Sequence, residues 1–352
     1  MPLLIGARNA GLLAAALALA STVDCQAETL ARTTMATGIS AYGGVAVWSR
    51  YDAKRQRFDL VASEGSRTKR LGVRSRTVPF DAQIGPGPGG QLLVVYSRCR
   101  HEAGSQNVDG VPTFVNARDC RLFSYDVRSD VERPIALGLA ARQSAFLPAI
   151  WGDRIVYGQL HTSSAGRPIT MTIRTTSLSD PRRSRALRGG SRSDLGGLNG
   201  AVTKIAFDGR HIAFEWEVTF GECAGEGNGQ DPSGGQQSEV WFESLHGRAR
   251  RIEKACTGDP VAWYAQPSLL DGQLYYLQSR IGDSNADVTH LRRFDPASGR
   301  YTDADLPNTF AIDGDGHYLY SVTKPEYGTV LIKRTLAPTM KASNRTPSRS
   351  RH

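Results

Sequence analysis

The stretch IAFDGRHIAFEW, Ile205 to Trp216, is an apolar run, a polar turn at Asp208 and Gly209, and a second run that puts Ile212, Phe214 and Trp216 on one face. It recurs. PAIWGDRIVYGQ begins at Pro148 and PSLLDGQLYYLQ at Pro267, each with a glycine turn and a closing aromatic at nearly the same offsets. Registered on an aromatic of the second run, the unit occurs at Trp48, Tyr96, Tyr157, Phe214, Tyr276 and Tyr320, with spacings of 48, 61, 57, 62 and 44 residues. Alternation with a period of two makes each run a strand, and Gly44, Gly90, Gly152, Gly209, Gly272 and Gly316 sit at the turns, where positive φ is needed.

A second hairpin follows in most copies: residues 57 to 63, 121 to 127, 170 to 178, 239 to 245 and 291 to 302. Four short strands per unit, repeated without an intervening helical pattern, predict an all-β fold, a β-propeller of six four-stranded blades. A pair of β-sandwiches is the runner-up, but sandwich strands need not recur as matched hairpins at one period. The last copy supplies two hairpin strands and one more, TVLIKRTL, and then no fourth. Residues 28 to 37 are the available segment, so the ring is expected to close by joining the first and last blades.

The copy FDGRHIAF (207 to 214) followed by SEVWFESLHG (238 to 247) resembles the repeat of TolB-type propellers, in which a Pro-Asp-Gly turn leads into an Ile-Ala-Phe strand. The resemblance spans about residues 38 to 336 and implies the propeller fold. The Ser-Pro that normally precedes the Asp-Gly is missing from every copy, and residues 28 to 38 hold no counterpart of the α/β domain that precedes the propeller in TolB itself.

Residues 1–27 read as an export signal, with Arg8, an apolar stretch from Gly11 to Ala20, and a cut after Cys25-Gln26-Ala27. Thr22 and Asp24 do not fit a lipobox, so Cys25 is expected to leave with the leader. The domain is expected over 28–337, and 338–352, Pro/Ser-rich and basic, is expected to be a disordered tail. Cleavage leaves Cys99, Cys120, Cys223 and Cys256, and Cys99 with Cys120 and Cys223 with Cys256 would each close within one copy. The location expected is secreted or periplasmic, without a transmembrane segment.

Catalytic and cofactor signatures are absent. There is no HExxH, GxSxG or CxxC, and no sialidase-like Asp box. Residues 85 to 90, GPGPGG, fit the dinucleotide fingerprint only literally, because Pro86 and Pro88 lack N–H groups and a strand follows where a helix is needed. Asp313-Gly314-Asp315-Gly316 starts like a calcium loop, but the sixth and twelfth places hold Tyr318 and Lys324. No cofactor is expected. The alternative to a binding protein is a metal-dependent propeller hydrolase or lactonase, whose ligands would be scattered over several blades.

The longest connections, 100 to 119, 160 to 168, 217 to 237 and 280 to 287, all join the second and third strands of a blade, which puts them on one face. That face is where a protein or an anionic envelope polymer is expected to bind, with no role for nucleic acid and a monomeric chain. The net charge is +9, carried by 36 arginines against seven lysines. Arg98, Arg100, Arg118 and Arg121 flank the connection bracketed by Cys99 and Cys120 and are the candidate contacts.

Overall fold

Glycine sets the hairpins. Gly44, Gly90, Gly152, Gly209, Gly272 and Gly316 all have positive φ, between 60° and 93°, the left-handed region that side chains with a Cβ enter at a cost. A computed structural model of the chain describes residues 27–102, 117–162, 168–191, 200–218, 237–247, 249–256, 261–281, 287–306, 308–323 and 329–335. Among these residues there is no helix. The expected leader, apart from Ala27, and the expected basic tail lie outside them.

Strand β1 (Ala27–Thr33) is followed by five sets of four strands and a last set of three. The first blade holds β2 (Ile39–Tyr42), β3 (Val45–Asp52), β4 (Arg57–Glu64) and β5 (Arg67–Arg70); the second holds β6 (Gln83–Pro86), β7 (Leu92–Arg98), β8 (Arg121–Asp126) and β9 (Val131–Ile135). The third comprises β10 (Gln143–Trp151), β11 (Arg154–Thr162), β12 (Pro168–Ser177) and β13 (Arg185–Ser191), and the fourth β14 (Gly200–Phe207), β15 (His211–Val218), β16 (Gln237–Ser244) and β17 (Arg250–Cys256). The fifth is β18 (Val261–Leu270), β19 (Gln273–Ile281), β20 (Asp287–Asp295) and β21 (Arg300–Asp305), and the sixth opens with β22 (Thr309–Gly314), β23 (Tyr318–Thr323) and β24 (Thr329–Thr335). All pairs are antiparallel, and the innermost strands β2, β6, β10, β14, β18 and β22 contact one another in a closed ring. The chain is therefore a six-bladed β-propeller.

The ring closes as the missing strand requires. β1 pairs with β24, from Ala27 opposite Arg334 to Thr33 opposite Thr329, and becomes the outer strand of the sixth blade. The closing strand is shorter than the segment available for it: Ala36 and Thr37 are instead buried on the way into β2. Leu30 and Ala31 pack on the cluster of Ile39, Trp48, Tyr320 and Leu331, which joins the first blade to the sixth.

The aromatics that register the repeat are all buried: Trp48, Tyr96, Tyr157, Phe214, Tyr276 and Tyr320. They fill the spaces between sheets, as where Phe58, Phe80, Tyr96 and Tyr125 pack together between the first and second blades. Burying one such side chain stabilises the fold by about 2–3 kcal/mol. The GPGPGG run is the approach and turn of the second blade: Gly90 N–H donates to Gly87 O, and Gly85 lies so close to the Ile150 carbonyl of the third blade that a Cβ would collide with it.

Two faces follow from this topology. The first–second and third–fourth strand turns lie at one end of the sheets, the turn face. The second–third connections and the links between blades lie at the other, the loop face.

Candidate functional site

The propeller axis is a polar network built from irregularities in the inner strands. Proline cannot donate to a ladder, and Pro148 and Pro267 coincide with register shifts between Phe146 and Ala149 and between Ala265 and Ser268. Leu147 and Gln266, which precede them, are forced to φ of 50° and 56°, a conformation uncommon outside glycine that persists only when the surroundings hold it. What holds it is a carboxylate from the preceding blade. Leu147 N–H donates to Asp81 Oδ2 at 2.7 Å, and Gln266 N–H donates to Glu215 Oε2 at 3.0 Å. At the closure, Ala41 N–H of the first blade donates to Asp313 Oδ2 of the sixth at 3.0 Å, while Ser268 Oγ of the fifth donates to Asp313 Oδ1 at 2.5 Å.

Lys204 crosses this axis. Its Nζ donates to Ile39 O at 3.3 Å, reaching from the fourth blade to the opposed first. Gln83 Nε2 of the second blade donates to Ile205 O of the fourth. Burial pulls the Lys204 ammonium below its ordinary pKa, against the carboxylates of Asp313 and Glu215. Burial likewise holds Glu215 and Glu217 above the usual carboxylate range, and the charge on Glu215 adds to the effect at Glu217. A cavity here, lined by Phe80, Asp81, Gln83, Leu147, Lys204 and Gln266, is about 30 Å³, room for one or two water molecules.

Carboxylates thus do approach the axis, as a metal-dependent hydrolase would need, but Asp81, Glu215 and Asp313 are each spent on backbone N–H groups of a neighbouring blade. Among the described residues no three His, Cys, Asp or Glu side chains come together in a way that could hold a metal ion. His211 is tied to Asp208 of its own turn, 3.0 Å from Nδ1 to Oδ2, and stacks on Phe242; Asp315 accepts from the His317 and Tyr318 amides of its hairpin. Sequence reasoning missed the axial network. Its one local trace is the residue-proline pair inside an inner strand.

On the loop face the β7–β8 ladder runs past the named strands. Arg98 lies opposite Arg121 and His101 opposite Arg118 in one continuous register, with Cys99 and Cys120 directly opposed between them. These two form a disulfide with Cα atoms 3.8 Å apart, as expected. Cys256 is also disulfide-bonded, while its expected partner Cys223 lies outside the described residues. The connections 103–116, 163–167, 219–236 and 282–286 lie outside them too.

The four candidate arginines divide into two kinds. Arg98 is held internally: its guanidinium is 2.5 Å from Glu132, 3.2 Å from Tyr96 Oη, and over the Phe123 ring at 4.3 Å. Arg121 is exposed but donates to the Cys120 and Gln143 carbonyls at 3.1 and 3.0 Å. Arg100 and Arg118 are exposed and have no carboxylate partner among the described residues. Glu102 fastens the base of the hairpin to the first blade: Oε1 accepts from Arg76 Nε at 2.8 Å, and Oε2 accepts from the Thr77 amide and hydroxyl at 3.2 and 3.0 Å.

No helix among the described residues is long and apolar enough to cross a membrane. No protein-family model and no curated protein matches the chain. Among solved structures it is similar to TolB from Acinetobacter baumannii, at 13% identity and a TM-score of 0.48 over 85% of this chain and 65% of that one. It is also similar to a puromycin-hydrolysing peptidase of Mycobacterium tuberculosis, at 12% identity and a TM-score of 0.46 over 88% of this chain and 53% of the other. The chain thus spans less than two thirds of the length of either. The β-propeller domain of the trilobed protease from Pyrococcus furiosus is matched over its whole length and 92% of this chain, at 11% identity and a TM-score of 0.43.

Proposed function

We propose that this is an exported binding propeller, secreted or periplasmic, that recognises a protein or a cell-envelope polymer through its loop face and is not itself a catalyst. The observation that carries the proposal is the axis. Its carboxylates serve as inter-blade hydrogen-bond acceptors, its centre is spanned by Lys204 and Gln83, and the cavity beside them is about 30 Å³. Recognition therefore falls to the surface. There the loop face offers a hairpin cross-linked at Cys99–Cys120, with Arg100 and Arg118 exposed. A disulfide across its stem fixes the places of Arg100 and Arg118 before binding and reduces the entropy lost on recognition. The disulfide also supports export into an oxidising compartment.

The test is a loop exchange. Replacing residues 103–116 by a short Gly-Ser turn, with the disulfide kept, is expected to abolish retention on an isolated envelope preparation while leaving the melting temperature unchanged. Undiminished retention of a folded variant would refute the loop face as the binding surface.

A further inference from the structure

The loop face carries more positive charge than the four arginines beside the disulfide. In the first blade the turn after β3 exposes Lys54, β4 opens with exposed Arg57, and the link to the second blade exposes Arg74. Arg50, near the end of β3, is exposed as well. With Arg100 and Arg118 these make six cations, none paired with a carboxylate among the described residues. The local acids among the described residues are already used or outnumbered. Asp52 and Asp59 are engaged by Arg55 at 2.7 and 2.6 Å, Asp59 again by Arg70 at 3.2 Å, and Glu102 by Arg76; Asp119, across the hairpin from Arg100, is the described acid left exposed.

Backbone bridges and side-chain contacts join these residues into one surface. Residues 74 to 76 run along the edge of β4, where Phe58 and Arg76 form a bridge and Arg57 Nη1 donates to Ser75 O at 3.4 Å. Arg76 then binds Glu102 of the second blade, beside the bridge of His101 to Arg118. Arg74 thus lies between the turn of the first blade and the stapled hairpin of the second. Among its described residues the patch exposes no large apolar side chain: Val131 and Trp151, the exposed large hydrophobics among the described residues, belong to the turn face. A protein interface needs an apolar, aromatic core, a membrane surface needs inserting apolar groups beside the basic ones, and single-stranded nucleic acid needs stacking aromatics. The described residues of the patch offer unpaired cations without any of these, which suits a hydrated, flexible chain of repeating negative charge.

We infer that the loop face of the first and second blades is a binding surface for an acidic polysaccharide, contacted by Arg50, Lys54, Arg57, Arg74, Arg100 and Arg118. This rests on the loop-face binding proposed above and narrows its ligand to a carboxylate-bearing glycan. Guanidinium groups match carboxylates in planar, two-pronged geometry, and contacts of this exposed kind weaken as salt screens them.

The experiment uses the full exported chain, with its disulfides intact, against immobilised polygalacturonate as the acidic polymer and dextran as the neutral one. The unmodified protein is expected to bind polygalacturonate at low salt, lose it as salt rises, and ignore dextran. Lys54→Gln/Arg57→Gln/Arg74→Gln is expected to weaken binding roughly tenfold. Arg128→Gln/Arg210→Gln/Arg300→Gln removes the same charge from the turn face and is expected to change it by less than about twofold. Equal losses in the two triples would reduce the binding to net charge and overturn the assigned surface. No binding by the unmodified protein would overturn the glycan. If the loop-exchanged protein then still loses retention on envelopes, the loop-face reading stands and its partner is a protein; if it does not, both fall.

Discussion

The Leu147 amide donates to Asp81 Oδ2 at 2.7 Å across the gap between the third and second blades. The other oxygen of Asp81 accepts from Ser97 N–H at 2.8 Å and lies 3.7 Å from the buried guanidinium of Arg76. One carboxylate thus fixes a strained residue in one blade, a ladder amide in its own, and the charge that binds Glu102 at the loop face. Asp81→Ala leaves two buried N–H groups without an acceptor and removes the carboxylate 3.7 Å from a buried guanidinium, and is expected to destabilise the fold by about 3–5 kcal/mol. Asp81→Asn keeps one acceptor and is expected to cost less. Urea denaturation of the two variants checks the order; a loss under about 1 kcal/mol for Ala would show that the contact is dispensable.

The ring closes through a strand from the start of the described chain. Removing residues 27–33 strips β24 of its partner and exposes an edge open to other chains. The melting temperature is expected to fall by on the order of 10 °C, with concentration-dependent association. An unchanged melting curve would show that β1 does not hold the ring.

The Cys99–Cys120 disulfide closes a separation of 21 residues. Cys99→Ala/Cys120→Ala is expected to cost about 3 kcal/mol by the loop-entropy estimate. Its effect on envelope retention should exceed its effect on the axis, since the β7–β8 ladder persists up to Arg98 and Arg121. Intact binding by the double variant would show that the staple does not hold the binding residues of the stem in place.

Glu243 of β16 is buried, its Oε2 has no hydrogen-bond partner, and desolvation raises its pKa from 4.5 to about 7, with Arg185 of the third blade pulling the other way. A carboxyl raised in the folded state holds its proton there longer than in the unfolded chain. Its contribution is complete below about pH 4.5 and is lost as pH rises through about 7. Glu243→Gln should therefore raise stability at pH 8 relative to pH 5, by on the order of 1–3 kcal/mol. The measurement is the difference between variant and parent in denaturant midpoint at the two pH values. A constant difference would show that Glu243 does not titrate in that window.

What was legible in the sequence was local. Six glycines at the turn positions and six aromatics at the register positions depend on near neighbours, so they recur at the repeat period, and all twelve take the places expected of them. The need for a closing strand was legible because the last copy runs out of strands. The axis was not. Lys204 meets Ile39 across 165 residues and Asp313 meets Ala41 across 272, and no spacing rule links such positions in one sequence. Pro148 and Pro267 were visible as the first residues of two repeats, yet their meaning, a bulge that turns the preceding amide toward another blade's carboxylate, depends on Asp81 and Glu215 far away. On the loop face, the cysteine bracket drew attention to the second blade, while Lys54, Arg57 and Arg74 of the first lay in a short turn, at the start of a strand and in a link. Arg98 was selected by its position beside Cys99, but Glu132, Tyr96 and Phe123 occupy it.

The central claim is that recognition takes place on the loop face and not at the axis or the turns. It is tested most directly with a photo-crosslinking side chain placed at Arg100 in one protein and at Arg210, an exposed turn-face position, in another, each irradiated with intact cell envelope. Covalent adducts are expected from position 100 and not from position 210. Adducts from position 210 with none from position 100 would contradict the account.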